Sequence, residues 1–146
     1  MSKVCDQLRQ IEADANALVI KLHNYHWHVG GSRFKTVHEY TEEAYDEVFE
    51  IFDEVAERVL QLGEKPIVDI NELVSTAKIA PNNNTHFSDS EVVSNMVSDY
   101  EYLAESFRTL AKLADEADDR VTAAMCDDKL SSIEKRLWML KAMLDR

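Results

Sequence analysis

The segment HNYHWH sets His23, His26 and His28 around Trp27, and His38 follows shortly after, so four of the five histidines lie within sixteen positions. Neutral imidazole is a common ligand of iron, zinc and copper. The midpoint between His26 and His38 falls at position 32, in the turn Gly30-Gly31-Ser32, so an antiparallel helical hairpin would bring these two rings side by side. Carboxylates could complete a metal site, and the stretch after His38 is dense with them: Glu42, Glu43, Asp46, Glu47, Glu50, Asp53, Glu54 and Glu57. Most of these form a solvated face. Asp53 and Glu57, four residues apart, stack on one side of a helix, and so many like charges with only Arg58 among them favour a bound cation.

The spacing forbids a site within one chain. His38 and Asp53 are fifteen positions apart, about 22 Å along a helix at 1.5 Å per residue, too far for one ion. At about 100° per residue, His38, Asp53 and Glu57 nevertheless fall within an arc of about 100°, so all three look out from one side. A two-fold dimer that packs this helix antiparallel to its mate would set the histidines of one subunit against the carboxylates of the other, twice by symmetry. A conventional centre inside the bundle is not expected, because no histidine has a Glu three residues before it, as Glu-x-x-His sites require.

The elements that must hold these residues are helical. Apolar or small residues recur at steps of three and four from Leu8 through Ile11, Ala15, Leu18, Leu22 and Tyr25 to Val29, predicting a helix that ends at Gly30-Gly31. Val37, Thr41, Ala44, Val48, Ile51, Val55, Val59 and Leu62 predict a second, stopped by Gly63, with Thr36 and Glu39 spaced as a capping box. Residues 63 to 88 lose the period and hold both prolines, which predicts a long crossover with a short helix over 69–77 capped by Asp69. Ser88 and Glu91 are spaced as a capping box for a third long helix with Val93, Met96, Tyr100, Leu103, Phe107, Leu110, Ala114 and Ala117 inward. After an acidic turn at Asp118-Asp119, a fourth carries Cys126, Leu130, Ile133, Leu137, Leu140 and Leu144, with Trp138 assigned to the core. Four long helices with short first and last turns and one long crossover match an all-α, ferritin-like four-helix bundle, a single domain over 1–146.

Composition narrows the function further. The chain has 146 residues, 45% of them hydrophobic, enough for one core. Sixteen Lys and Arg stand against 28 Asp and Glu, a net charge of −12 that repels phosphate backbones and gathers cations. Three glycines provide no phosphate-cradling loop. The sequence shows no basic, apolar leader and no apolar stretch of membrane-spanning length, so a cytoplasmic protein is expected. Cys5 and Cys126 lie far apart without metal-ligand spacing and are read as reduced and structural.

Taken together, LHNYHWHVGG at 22–31, Phe34, Val37-His38, the block Asp53-Glu54-Val55-Ala56-Glu57-Arg58, Leu62-Gly63, Pro66, Asp99-Tyr100, Asp127-Asp128 and Trp138-Met139-Leu140 resemble the Dps (DNA-protection during starvation) miniferritins, in their neutrophil-activating-protein branch. The likeness runs along nearly the whole chain. It implies a hollow shell of twelve subunits that binds Fe(II) at inter-subunit sites of one or two ions. Iron is oxidised there, typically with hydrogen peroxide, and stored inside as Fe(III) mineral, a defence against oxidative stress. By the same resemblance, His26 and His38 of one subunit and Asp53 and Glu57 of its two-fold mate are the iron ligands. Trp27 is the residue that intercepts oxidising equivalents, and Asp119, Asp127 and Asp128 line three-fold pores for the ion, with Asp115 and Asp118 as helpers.

His28 stands where this family usually has Asn, either as an extra metal contact or as a cap for the helix end. Dps proteins that bind DNA commonly carry a mobile basic tail. Here the first helix begins almost at once, with only Lys3 and Arg9 near its start, and the C-terminus reads LKAMLDR, so weak or absent DNA binding is expected. His23 and His86 are read as ordinary surface or core histidines, Asp46 and Glu50 as solvated charges and Glu42 as a minor candidate near the site. The competing reading is a structural or protective protein that works by surface binding, to DNA or to host cells, without ferroxidase activity.

Overall fold

A computed structural model describes residues 2–145. Its elements are α1 (Lys3–His28), β1 (Val29–Gly30), α2 (Phe34–Gln61), α3 (Ile70–Thr76), β2 (Phe87–Ser88), α4 (Asp89–Glu116) and α5 (Arg120–Leu144). The four long helices are the predicted ones and form a ferritin-like bundle. α1 packs against α2 and α4, α4 packs against α5, and the crossover carries α3 back along α1. The apolar positions at steps of three and four become one continuous core that includes Leu8, Leu18, Val48, Met96, Phe107 and Ile133.

Side-chain caps fix several helix starts. Ser2 Oγ accepts from Cys5 N, Asp69 from Asn71 N and Glu72 N, and Ser88 Oγ from Glu91 N. The Thr36–Glu39 box is not used. α2 starts three residues earlier, with Arg33 at its N-cap and no side-chain cap, because Gly31 at φ 112 turns the chain tightly enough for Phe34 N to reach Gly31 O at 3.1 Å. Trp138 is not in the core either: it is 68% exposed, because Leu137 and Leu140 already fill the inward face of α5 and the next position lies about 100° around the helix. Ala117 lies past the end of α4, at its C-cap, and is exposed.

The crossover is held by carboxylates buried in α1. Glu12 Oε1 accepts from Ile67 N at 2.9 Å, and Asp14 accepts from Lys78 N, Ile79 N and the Tyr102 hydroxyl at 2.6, 3.0 and 2.7 Å. Buried backbone donors need such partners, so these acids belong to the architecture rather than to chemistry. Two-residue strands, which the periodicity does not reveal, close the end of the bundle: β1 pairs in parallel with β2, Val29 opposite Phe87 and Gly30 opposite Ser88. This pairing pins the α1–α2 turn to the start of α4. Cys5 and Cys126 are free and buried, and no described helix is long and apolar enough to cross a membrane.

Candidate metal centre

The α1–α2 turn brings His26 and His38 together. Their rings stack with centroids 3.6 Å apart and planes 17° from parallel. The pair is locked reciprocally: His26 Nδ1 lies 2.7 Å from His38 O, and His38 Nδ1 lies 2.8 Å from His26 O. A carbonyl oxygen only accepts, so in each ring Nδ1 carries the hydrogen and Nε2 keeps its lone pair. This is the orientation that metal-binding imidazoles use, with the second nitrogen tied to a backbone acceptor. His38 O also accepts from the Thr41 hydroxyl at 2.8 Å, and Phe34 stacks on the far side of His38 at 5.1 Å.

The turn that sets this register depends on Gly31. Its positive φ is unfavourable for a side chain, and a Cβ there would stand 3.1 Å from Asp89 Oδ2. Asp89 is itself engaged, accepting from Arg33 N at 3.1 Å, and hydrogen bonds from Arg33 hold its carboxyl below the usual range. Gly31→Ala is therefore expected to lower stability by about 1–2 kcal/mol, read from urea unfolding. An unchanged midpoint would show that the turn tolerates a side chain.

Asp53 and Glu57 lie far along the same helix. α2 is unbroken from Phe34 to Gln61, so the interval from His38 to Asp53 stays at about 22 Å. Both acids are exposed, and neither has a hydrogen bond or ion pair among the described residues. Their neighbours differ: Glu54 pairs with Lys129 at 2.7 Å, Glu47 with Arg136 at 3.1 Å, and Arg58 with Asp119 at 3.0 Å. Among the described residues of one chain, no three His, Cys, Asp or Glu side chains gather closely enough to hold a metal ion.

The other predicted residues are placed as follows. Trp27 is 64% exposed and borders a groove of about 440 Å³ between α1, α3 and the crossover, beside Ile20 and Val74. His28 Nδ1 meets Asn24 Oδ1 at 2.6 Å, while the Asn24 amide donates to Asn82 O and Asn84 O; His28 thus helps to tie the helix end to the crossover. Asp119 caps α5 through Thr122 N. Desolvation pushes its pKa up, but hydrogen bonds from Thr122 and the charge of Arg58 outweigh it and hold the carboxyl below its usual value. Asp127 and Asp128 are exposed on the first turns of α5.

Two residues join the cluster without having been singled out for it. Tyr45 meets the His26 ring edge-on at 5.3 Å and stacks on His23 at 3.7 Å, and His23 lies 5.6 Å from Trp27. Tyr45 follows His38 by seven positions, two helical turns, and that interval was the available signal. Partial desolvation, then the charges of Glu42 and Asp46, push the Tyr45 phenol above its ordinary pKa.

The crossover bundle with a histidine pair at its first turn is an arrangement of the ferritin-like class, and the family model of the ferritin-like domain matches residues 5–146. The DNA protection during starvation protein of Helicobacter pylori is 36% identical over 142 residues, which cover 97% of this chain and 99% of that one. Antigen TpF1 of Treponema pallidum is 41% identical over 144 residues, covering 99% and 81%. The crystal structure of Helicobacter cinaedi CAIP matches with a TM-score of 0.96 at 43% identity, covering 98% of this chain and all of that one. The chain belongs to the Dps family of ferritin-like proteins, and its Helicobacter and Treponema relatives fit the neutrophil-activating-protein branch.

Proposed function

We propose that this protein is a ferroxidase and iron store. Fe(II), its substrate, binds between two subunits, with His26 and His38 from one and Asp53 and Glu57 from the two-fold mate, at sites of one or two ions. The observation that carries the reading is the reciprocally locked imidazole pair, whose free Nε2 lone pairs have no carboxylate of their own chain within reach. The unpaired Asp53 and Glu57 on the same helix supply the matching half. A second copy of the chain would also cover the apolar groove formed by Ile20, Trp27 and Val74, an exposed patch of the kind that marks an interface.

Imidazole nitrogen retains affinity for Fe(II), and hard carboxylate oxygen favours the more highly charged Fe(III) product. Bound ferrous ions give electrons to hydrogen peroxide in pairs, two Fe(II) per peroxide, so that both oxygens leave as water or hydroxide and no free hydroxyl radical is released. The oxidised iron then collects as mineral inside a twelve-subunit shell, reached through three-fold pores lined by Asp119, Asp127 and Asp128. The net charge of −12 favours this cation traffic and disfavours direct binding of DNA.

Anaerobic loading of the assembled protein with Fe(II), followed by one peroxide pulse, tests the proposal. Rapid Fe(III) absorbance at two Fe(II) per peroxide, a low hydroxyl-radical yield and a particle mass near twelve chains are expected. Oxidation no faster than in buffer would overturn the ferroxidase and favour a role in surface binding.

A further inference from the structure

The start of α2 carries His38 five positions after Arg33, yet it has no side-chain cap, and the first amides of a helix find no acceptor inside it. Other elements must hold it in place. The incoming side of the α1–α2 turn is pinned by the strand pairing, Val29 opposite Phe87 and Gly30 opposite Ser88. The outgoing side is pinned by one side chain. Arg33, at the N-cap of α2, donates from Nη1 to Met143 O at 3.0 Å in the last turn of α5, and from Nη2 to Asp89 Oδ1 and Ser90 Oγ, both at 3.3 Å, at the start of α4. Its backbone N–H reaches Asp89 Oδ2 at 3.1 Å. Both attachments suit the helix dipoles, with a carboxylate at the N-terminus of α4 and a guanidinium at the C-terminus of α5. Phe34, the next residue, stacks on His38, whose carbonyl oxygen accepts from His26, so a short length of α2 joins this clamp to the imidazole pair.

We propose that Arg33 is a positioning residue for the metal centre: by tying the start of α2 to α4 and α5, it keeps His38 in register with His26 before iron arrives. The proposal rests on the reading of this pair as half of a ferroxidase site. Arg33 reaches Asp89, Ser90 and Met143 rather than either imidazole, and it acts on how often the pair is formed. With the clamp in place, the two free Nε2 atoms are presented together. Without it, the uncapped start of α2 frays and carries His38 away from His26, so Fe(II) must close the pair as it binds. Apparent affinity then falls in proportion to the fraction of sites already closed. Once iron is bound the pair is closed, and the oxidation step is unchanged. The sign separates positioning from simple electrostatics. Removal of the guanidinium makes an acidic protein one unit more negative, which by charge alone would tighten Fe(II) binding. Loss of positioning weakens it.

The test compares the assembled wild-type protein with Arg33→Ala and Arg33→Lys. The lysine variant keeps the charge, but a compact ammonium does not span the acceptors that the planar guanidinium fork reaches. Peroxide-driven Fe(III) formation is measured over a range of Fe(II) concentrations, and Co(II) binding is titrated by visible absorption without peroxide. In Arg33→Ala the half-saturating Fe(II) concentration is expected to rise about 10-fold, the lower end of what loss of a residue that orients a ligand costs, with the maximal rate unchanged. Co(II) affinity should fall by the same factor. Arg33→Lys should show the same split at smaller size, and it carries the test alone if Arg33→Ala does not assemble. Half-saturation at or below the wild-type value in either variant that assembles, or a lower maximal rate at unchanged half-saturation, would overturn the positioning role while leaving the ferroxidase reading intact. A wild-type protein that neither binds Co(II) nor oxidises Fe(II) with peroxide would overturn both.

Discussion

Asp53→Ala is expected to slow peroxide-driven oxidation of Fe(II) by about 100-fold or more while leaving the fold intact. The magnitude follows from what lesser changes do: removal of a residue that merely orients a ligand typically costs about 10–100-fold in metal affinity or activity, and loss of a donor atom should reach the top of that range. The second half of the expectation follows from position. Asp53 is exposed, with no hydrogen bond or ion pair among the described residues, so its truncation should change stability by no more than about 0.5 kcal/mol. His26→Ala should abolish the reaction as fully but is less clean, because the 8% exposed ring packs on His38 and Tyr45 and its loss opens a gap. Stopped-flow Fe(III) absorbance beside a thermal melt separates the two effects. An Asp53→Ala protein that melts and oxidises iron like the wild type would remove this carboxylate from the site.

The largest effect on stability is expected at Lys21. Its ammonium lies 2.9 Å from Asp99 Oδ1, with side-chain exposures of 15% and 8%, and the Tyr25 hydroxyl donates to Asp99 Oδ2 at 3.2 Å. Burial pushes the Asp99 pKa up, and Lys21 and then Tyr25 pull against it. Lys21→Met leaves a buried carboxylate without its cation and should cost about 3–5 kcal/mol. The pH dependence has a definite sign. Without Lys21, the folded-state pKa of Asp99 rises further above its unfolded value, and a group of that kind favours the folded protein at low pH and loses the contribution as pH rises through the folded pKa. The deficit should therefore be full at neutral pH and shrink as Asp99 takes up its proton on acidification. Urea unfolding at matched protein concentration reads both, since assembly couples stability to concentration. A variant as stable as the wild type at neutral pH would mean that the pair contributes nothing.

The parts of this molecule that were legible in the sequence are those set by local period and chemistry. Leu8, Leu18, Val48, Met96 and Ile133 face inward because apolar residues at steps of three and four must share a helix face, and Asp69 and Ser88 cap because their oxygens reach free backbone N–H groups. The meeting of His26 and His38 was legible because the turn midpoint fixes which residues of a hairpin lie opposite one another. Trp138 was misplaced because the period marks one inward face and does not say that a large ring beside it stays outside. The β1–β2 pairing joins segments 58 positions apart and has no local signature. The start of α2 escaped because the Gly31 turn, rather than a side-chain cap, sets it. The seven-residue interval sets Tyr45 on the His38 side of α2, but its contacts with His23 and His26 depend on the relative rotation of α1 and α2, which that interval does not encode.

The central claim is that each site is shared between two chains, and mixed assemblies test it most directly. One variant, His26→Ala/His38→Ala, keeps the carboxylates; the other, Asp53→Ala/Glu57→Ala, keeps the imidazoles. Each alone should be inactive. Dissociated, mixed in equal amounts and reassembled, half of the two-fold pairs are heterologous and each of these holds one complete site out of two, so activity should return to about a quarter of the wild-type level per chain. Peroxide-driven Fe(III) formation by the mixed protein, restored to that level, is the predicted result. Mixed assemblies as inactive as their two parents would contradict a site built from both chains.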